Sequence, residues 1–326
     1  MSGMQAIVCR QYGSPDVLRL EEVQKPTAAG DRVLIRVRAS SVNAGDWHIL
    51  RADPFLVRLA YGLRRPKYPI LGTDVAGVVE AVGDEVTQFK PGDEVFGDLS
   101  GCGFGGFAQY AIAPQRLLAI KPANLTFEQA AAVPSAAVTA LQALRDTGKI
   151  AAGMRVLING ASGGVGTFAV QIAKSFDTHV TGVCGSRKLA GVRAIGADEV
   201  IDYATDDFTN TGQRYDVILA ANGNRPIVDY KRALAPCGTY VMSGGSTKQM
   251  FQAILLGPLM SMTGKKRMTS MLVKPNQADL QFVGKLLFSG KIMPVIDRNY
   301  PLRQTPDAIR YLEKGHAAGK VVITIE

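Results

Sequence analysis

The 326-residue chain is longer than one hydrophobic core usually serves, so we expect two domains. An apolar content of 47% with 20% charged residues is typical of a globular protein and excludes a disordered chain. The net charge of +9 is dispersed, and its densest clusters, residues 63–67 and 265–267, lack the interleaved aromatic residues of a single-strand-binding platform. We therefore expect no nucleic acid partner.

The targeting and cysteine signals favour a cytoplasmic protein. The amino terminus lacks the basic start, apolar middle and small-residue cleavage site of a secretory signal. The longest uncharged apolar stretch, residues 251–264, is interrupted by Gly257 and Pro258 and is too short to span a bilayer. The four cysteines are scattered without C-x-x-C spacing, so we expect reduced thiols and no structural zinc site.

The sequence pattern of the first part of the chain predicts a mostly β domain. Residues 4–125 contain short strand-like runs cut by glycine and proline, such as RVLIRVRASSVN at 32–43, DVAGVVEAVG at 74–83 and GDEVFGDL at 92–99. From residue 126 the pattern changes to helices alternating with apolar strands. Thr126, followed by Glu128 and Gln129, predicts the start of the first of these helices.

Six apolar runs then predict a doubly wound parallel sheet of the α/β class. They are RVLING, HVTGVC, EVIDY, DVILAA, TYVMSG and RMTSML, separated by segments of helix length. After Pro275 come a helix, a strand, a helix at 306–316 and a last strand, KVVITI, which resemble the first part of the chain. We therefore expect one domain from residues 1–125 and 274–326, and a dinucleotide-binding domain from residues 126–273.

The stretch LINGASGGVG at 157–166 follows the first strand of that sheet and opens a helix. A dinucleotide pyrophosphate binds at such a place, where free backbone N–H groups point at the phosphates. Gly163 would let the backbone approach the phosphates, and Gly166 would let the helix pack closely on the strand. A turn that only connects strand and helix is the alternative. The predicted cofactor turn comprises Ala161, which replaces the usual first glycine, Ser162, Gly163, Gly164, Val165 and Gly166.

The end of the second strand indicates which dinucleotide binds. An acidic side chain there would accept from a ribose hydroxyl and repel a 2′-phosphate, but Gly185 occupies that place. Ser186, Arg187 and Lys188 follow, and a hydroxyl with two cations suits a phosphate. We therefore predict NADPH as the cofactor, with a solvent-facing basic turn as the alternative.

Further cofactor contacts are expected at the carboxyl ends of the later strands. Tyr203 closes the third strand and would cover the adenosine, unless it is an ordinary strand-end aromatic. Asn222 and Gly223 follow the fourth strand, and Gly244 follows the fifth. The ribose and nicotinamide are expected to lie against these three residues.

Eight motifs are distributed over essentially the whole chain. They are SSVNAGDWHI, LGTDVAGVVEAVG, FKPGDEVFG, GGFAQYA, AAAVPSAAVTALQAL, GASGGVG, GADEVIDY and GHAAGKVVI. With these motifs the chain resembles a medium-chain dehydrogenase/reductase of the zinc-free quinone oxidoreductase group. The resemblance implies a GroES-like catalytic domain built from both chain ends, a Rossmann domain between them, a cleft holding NADPH, and a homodimer.

The resemblance also implies that the chain binds no catalytic metal. Zinc alcohol dehydrogenases of similar architecture carry a cysteine ligand where this chain has Asn43, and a histidine ligand where it has Thr73. Asp74 alone cannot form the tetrahedral site that zinc requires. Hydride transfer to a quinone or to the activated C=C of an α,β-unsaturated carbonyl suits a nicotinamide without metal, because the conjugated carbonyl accepts the negative charge.

Four further roles follow from the resemblance. Asn43 is implied at the active site, donating to a carbonyl or fixing the cofactor, although it could be a turn residue. His48 is the expected proton donor, or else a surface or core histidine. Thr139 is expected near the nicotinamide unless it bonds within its own helix. Lys320 is expected near a cofactor phosphate unless it is solvated.

Other functions remain open at the level of sequence. The chain could bind NADPH without turnover, as a crystallin-like or RNA-associated relative does. It could also be an alcohol or ketone dehydrogenase.

Overall fold

The computed structural model describes residues 3–262 and 264–326. The chain divides into two compact units. Unit one comprises the described residues up to Ser135 with Lys274–Phe288 and Pro294–Glu326, and unit two comprises Ala136–Val273 with Ser289–Met293. The first boundary between the units lies after residue 135, whereas the sequence pattern predicts it after residue 125. The short return to unit two is explained by Gln171, whose side-chain amide bonds both the N–H and the carbonyl oxygen of Met293, at 2.8 and 2.9 Å.

The amino-terminal part of unit one is mostly β, as the sequence predicts. Two strands form a separate antiparallel pair, and the others belong to a larger sheet. The strands are β1 (Gly3–Cys9), β2 (Leu18–Gln24), β3 (Arg32–Val42), β4 (Asp74–Val82), β5 (Glu94–Asp98), β6 (Tyr110–Pro114) and β7 (Leu118–Ile120), and the helices are α1 (Ala44–Arg51), α2 (Val57–Tyr61) and α3 (Phe127–Ala131). Thr126 caps α3 by accepting from the N–H of Gln129, which confirms the predicted helix start.

Unit two contains a six-stranded, wholly parallel sheet. Each of the six predicted runs forms one of its strands. After α4 (Pro134–Leu141) and a π-helical segment (Gln142–Gly148), the elements are β8 (Arg155–Asn159), α5 (Gly164–Ser175), β9 (His179–Cys184), α6 (Leu189–Ala194), β10 (Glu199–Asp202), β11 (Tyr215–Ala220), α7 (Ile227–Ala233), β12 (Leu234–Met242), α8 (Thr247–Met262) and β13 (Arg267–Ser270). The strand order is β10-β9-β8-β11-β12-β13, so the order reverses beside β8. Ligands bind outside the carboxyl ends of strands at such a switch point.

The chain then returns to unit one, as the sequence predicts. The returning elements are α9 (Gln277–Phe288), β14 (Ile296–Pro301), α10 (Thr305–Glu313) and β15 (Lys320–Thr324). β15 pairs antiparallel with β3, and the larger sheet has the order β14-β15-β3-β4-β5-β7, with β6 paired to β3. This return places Lys320, at the start of β15, opposite the end of β3.

Each unit has its own hydrophobic core. In unit one, inward-facing residues of the sheet, such as Ile35 and Val75, are fully buried together with Ile309 of α10. In unit two, three tyrosines of β11, α7 and β12 are fully buried with the apolar residues of the sheet. Within the two described ranges, no helix combines the length and apolar character needed to cross a membrane.

Candidate functional site

The glycine-rich turn joins β8 to α5. Gly160 has a φ of 88°, a conformation that favours glycine. A Cβ on Gly166 would lie 2.0 Å from the carbonyl oxygen of Gly160, so α5 packs against the turn as closely as the sequence predicts. Gly163 is the N-cap of α5, and the nearest atom to a Cβ built there is 3.5 Å away. A side chain at Gly163 would thus touch the Gly160 oxygen, and the N–H groups of the first turn of α5 have no acceptor within the helix.

The turn after β9 is fixed by an acidic residue that the sequence analysis did not identify. Asp202, the last residue of β10, accepts from the hydroxyl and the backbone N–H of Ser186 and from the N–H of Ala204. These bonds, the Ser186 hydroxyl first, lower the pKa of Asp202. The signal for this contact was the acidic residue at the end of the strand next to β9, because parallel neighbours end at the same edge of a sheet.

The remaining predicted adenosine contacts lie around the same turn. Arg187 and Lys188 follow Ser186 in one turn of 3₁₀-helix. Tyr203 is 60% exposed, and its hydroxyl lies 3.2 Å from the position of a Cβ on Gly185. The missing side chain at Gly185 thus makes room for the phenol. The structure brings these residues together, and their contacts with a cofactor stay a prediction.

Three loops meet at the carboxyl edge of the sheet in unit two. A Cβ on Gly160 would lie 2.8 Å from the Cβ of Asn222, so the glycine turn packs against the loop after β11. Gly223 forms a parallel bridge with Gly245, and its N–H donates to the carbonyl oxygen of Gly244 at 3.2 Å. The structure therefore places the predicted residues of these loops side by side. Thr139, also in unit two, lies on α4 and is 9% exposed.

In unit one, Asn43 lies at the centre of a polar network. Its amide nitrogen donates to Thr73 Oγ1 at 2.7 Å and to Asp74 Oδ2 at 2.8 Å, and its carbonyl oxygen accepts from Lys320 Nζ at 2.5 Å. A lysine can only donate and a carboxylate can only accept, so these two neighbours fix the orientation of the amide. Both amide hydrogens are engaged. Donation from Asn43 to a substrate carbonyl, or a contact with the cofactor, stays a prediction.

Asp74 and Lys320 form a buried ion pair. Lys320 Nζ lies 3.3 Å from Asp74 Oδ2, and the two side chains are 3% and 0% exposed. Asp74 also accepts from the hydroxyl of Ser41 and from the N–H of Ser135. A buried pair is sustained only when its remaining lone pairs are satisfied in this way. In unit one, Lys320 thus has Asn43 and Asp74 as its neighbours. The role near a cofactor phosphate that the family resemblance implies for Lys320 stays a prediction.

Two more carboxyl groups are buried close to this pair. Burial raises the pKa of Asp46 to about 7. The N–H groups of Asn43 and Gly72 donate to its oxygens at 2.7 and 3.2 Å and partly oppose this increase. Burial, and next the charge of Asp74, raise the pKa of Asp98 to about 6. Asp98 stands opposite Asp74 across β5 and β4. The unit thus buries more acidic groups here than the single ammonium can balance.

His48 lies on α1, half-buried and stacked on Trp47 with ring centroids 3.6 Å apart. Its Nδ1 is 2.7 Å from the carbonyl oxygen of Asp53. A carbonyl only accepts, so Nδ1 carries a hydrogen and the neutral ring has its lone pair on Nε2. His48 can therefore release a proton from Nε2 only as the imidazolium.

Comparison with known proteins identifies the family. The family described as "Alcohol dehydrogenase GroES-like domain" matches residues 29–123, and the one described as "Zinc-binding dehydrogenase" matches residues 195–323. The chain is 35% identical to the chloroplast envelope quinone oxidoreductase homolog of Arabidopsis thaliana, with 98% of each chain covered. The chain belongs to the medium-chain dehydrogenase/reductase family.

Two further relatives support the assignment. The NADPH-dependent alkenal/one oxidoreductase, chloroplastic, of the same plant is 33% identical over 98% of this chain and 79% of its own length. The structure of the quinone oxidoreductase from Coxiella burnetii superposes with a TM-score of 0.88 at 29% identity, with 100% of both chains covered. Unit one accordingly has the GroES-like fold, unit two has the Rossmann-like fold, and this family member is an oxidoreductase.

The residues at the family's zinc-ligand positions do not fit zinc. Asn43 and Thr73 replace a cysteine and a histidine, and the Lys320 ammonium lies against the Asn43 oxygen. Zinc sites use thiolate, imidazole and carboxylate ligands, and an ammonium beside them would repel the cation. Across the described ranges, no group of three or more His, Cys, Asp or Glu side chains could hold a metal ion.

Proposed function

We propose that the chain is an NADPH-dependent, zinc-independent reductase that transfers hydride to quinones or to the activated C=C of α,β-unsaturated carbonyls. The observation that supports the proposal is the network of Asn43, Asp74 and Lys320, in which an amide, a carboxylate and an ammonium bond one another and offer no thiolate or imidazole to a metal. A reductase without metal needs a substrate that accepts negative charge by itself, and conjugated carbonyls and quinones do so. The names of the relatives agree with this substrate class.

The choice of NADPH rests on the turn after β9. Ser186, Arg187 and Lys188 offer one hydroxyl and two cations to a 2′-phosphate, and Gly185 has no side chain, although the Asp202 carboxylate bonds Ser186 in the same turn. Asp202 already accepts from Ser186, so the cations supply most of the attraction to the phosphate. The glycine turn before α5 would bind the pyrophosphate through backbone N–H groups.

When bound, NADPH would supply a hydride to the β-carbon of an enone or to a quinone, and the enolate or hydroquinone anion that results would need one proton. His48 is our proposed donor. Its Nδ1 is held by the Asp53 carbonyl oxygen, so the proton would be released from Nε2 of the imidazolium.

The experiment is the oxidation of NADPH by purified, metal-free protein, followed at the absorbance of the reduced nicotinamide. Quinones and short and long enones are the acceptors, NADH is the control cofactor, and a chelator is the control for metal. NADPH-specific, chelator-resistant turnover of either acceptor class supports the proposal. Tight NADPH binding without turnover would instead indicate a non-catalytic relative, and zinc-dependent alcohol oxidation would indicate a dehydrogenase. The homodimer and the location in the cytoplasm stay predictions.

A further inference from the structure

Four side chains form a buried hydrogen-bonded network beneath the carboxyl edge of the sheet in unit two. Asn159, the last residue of β8, donates from its amide to the hydroxyl of Tyr230 on α7 at 2.6 Å. Gln249, in the first turn of α8, donates from its amide to the hydroxyl of Tyr240 on β12 at 2.7 Å. The two tyrosine rings are fully buried, with centroids 4.9 Å apart. We call these four residues the amide–tyrosine network.

Gln249 is the member of this network that contacts the glycine loops. A Cβ on Gly223 would lie 2.2 Å from Nε2 and 2.5 Å from Cδ of Gln249, so the amide packs directly on the glycine backbone. A Cβ on Gly245 would lie 3.2 Å from Oε1 of the same side chain. The N–H of Ser246 also donates to the carbonyl oxygen of Gly223 at 3.0 Å. The two loops therefore close around one amide group, which is 1% exposed.

Backbone hydrogen bonds join these two loops to each other, and the Gln249 amide adds a side-chain contact with both. Glycine has more conformational freedom to lose than any other residue, and a loop that is ordered only when ligand binds reduces affinity by that entropy. The hydrogen bond to Tyr240 fixes the Gln249 amide in the core, and the amide in turn restricts both loops before any ligand is present. The adenosine contacts around Ser186 belong to the turn after β9 and share no residue with this network.

We propose that Gln249 is a positioning residue for the nicotinamide half of the cofactor, acting through the Gly223 and Gly244–Gly245 loops. The inference rests on the proposed function, because it assumes that the nicotinamide ribose lies against these loops. It predicts a specific pattern of binding: loss of the Gln249 contacts weakens ligands that contain the nicotinamide half and spares those that contain only the adenosine half.

The test is calorimetric titration of full-length protein with NADPH and with adenosine 2′,5′-bisphosphate, which lacks the nicotinamide and its ribose. Gln249→Met removes the amide at similar side-chain length. Its matched control is Gln252→Met on the same helix, whose amide oxygen accepts from the N–H of Ile227 and is not among the atoms nearest to a Cβ on Gly223, Gly244 or Gly245. We expect Gln249→Met to raise the Kd for NADPH about tenfold, and the Kd for the bisphosphate less than about twofold, since one buried hydrogen bond is lost. Gln252→Met should change neither by more than about twofold.

A second variant covers the case in which Gln249→Met does not fold. Tyr240→Phe deletes one oxygen, keeps the ring in the core and removes the Tyr240 bond of the Gln249 amide, which keeps its bond with Tyr230, so it should weaken NADPH selectively and by less than Gln249→Met does. Equal weakening of both ligands, or no weakening in either variant that folds, would overturn the positioning role. Failure of the proposed function is seen separately, as absence of NADPH binding by the wild-type protein.

Discussion

The clearest electrostatic prediction concerns Asp98, whose carboxyl group is 4% exposed and stands opposite Asp74 on the neighbouring strand. Its Oδ1 accepts from the N–H of Ser100 at 2.8 Å, whereas Oδ2 is buried and has no hydrogen-bond partner in residues 3–262 or 264–326. Asp98→Asn keeps the acceptor and replaces the orphaned oxygen by a neutral amide. The variant therefore removes a buried negative charge at little change in volume.

The size and sign of the effect follow from the raised pKa. Burial and the charge of Asp74 raise the pKa of Asp98 from 3.8 to about 6, so the folded state binds this proton more tightly than the unfolded state. Wild-type stability is therefore lost through this group as pH rises from about 4 to about 6 and stays reduced above that range. A shift of about two units corresponds to about 3 kcal/mol, which Asp98→Asn should recover at pH 8 and not at pH 4.

Urea unfolding at pH 4 and pH 8 measures this difference. Trp47 is the only tryptophan and lies in the same unit, so its fluorescence reports the unfolding of the relevant part of the chain. Asp53→Asn is the matched control, because it makes the same change of carboxylate to amide at an exposed position of the same unit. A stability difference between wild type and Asp98→Asn that is the same at both pH values would refute the argument.

Three other predictions test the remaining parts of the site. Gly166→Ala places a methyl group against the backbone of the glycine turn, so thermal unfolding should show a loss of about 1–3 kcal/mol. Lys320→Met leaves Asp74 buried without its cation and should cost about 3–5 kcal/mol by urea unfolding, part of which the added Asp74→Asn change restores. Arg187→Ala with Lys188→Ala should raise the KM for NADPH about 10-fold to 100-fold and leave the KM for NADH unchanged, because only NADPH carries the 2′-phosphate.

Local patterns in the sequence determined much of the fold and part of the site. The six apolar runs became the six parallel strands because strand-forming residues between turn residues specify their element without distant partners. The helix cap at Thr126 and the close packing at Gly166 could also be predicted from the sequence, since each depends on residues within a few positions. The helix that starts after Thr126 ends at Ala131, and α4 begins at Pro134, which has no N–H to donate, and is followed by a π-helical segment.

Tertiary structure alone decided which polar groups meet. Lys320 reaches Asn43 across 277 positions of sequence because β15 pairs with β3, and a carboxylate on one side and an ammonium on the other then fix the Asn43 amide. Asp202 meets Ser186 because β9 and β10 are parallel neighbours. Gln249 meets Gly223 because α8 begins beside the loop after β11. Hydrogen bonds between distant residues follow from strand order and register, so the sequence shows which residue types are present and the fold determines which partners they have.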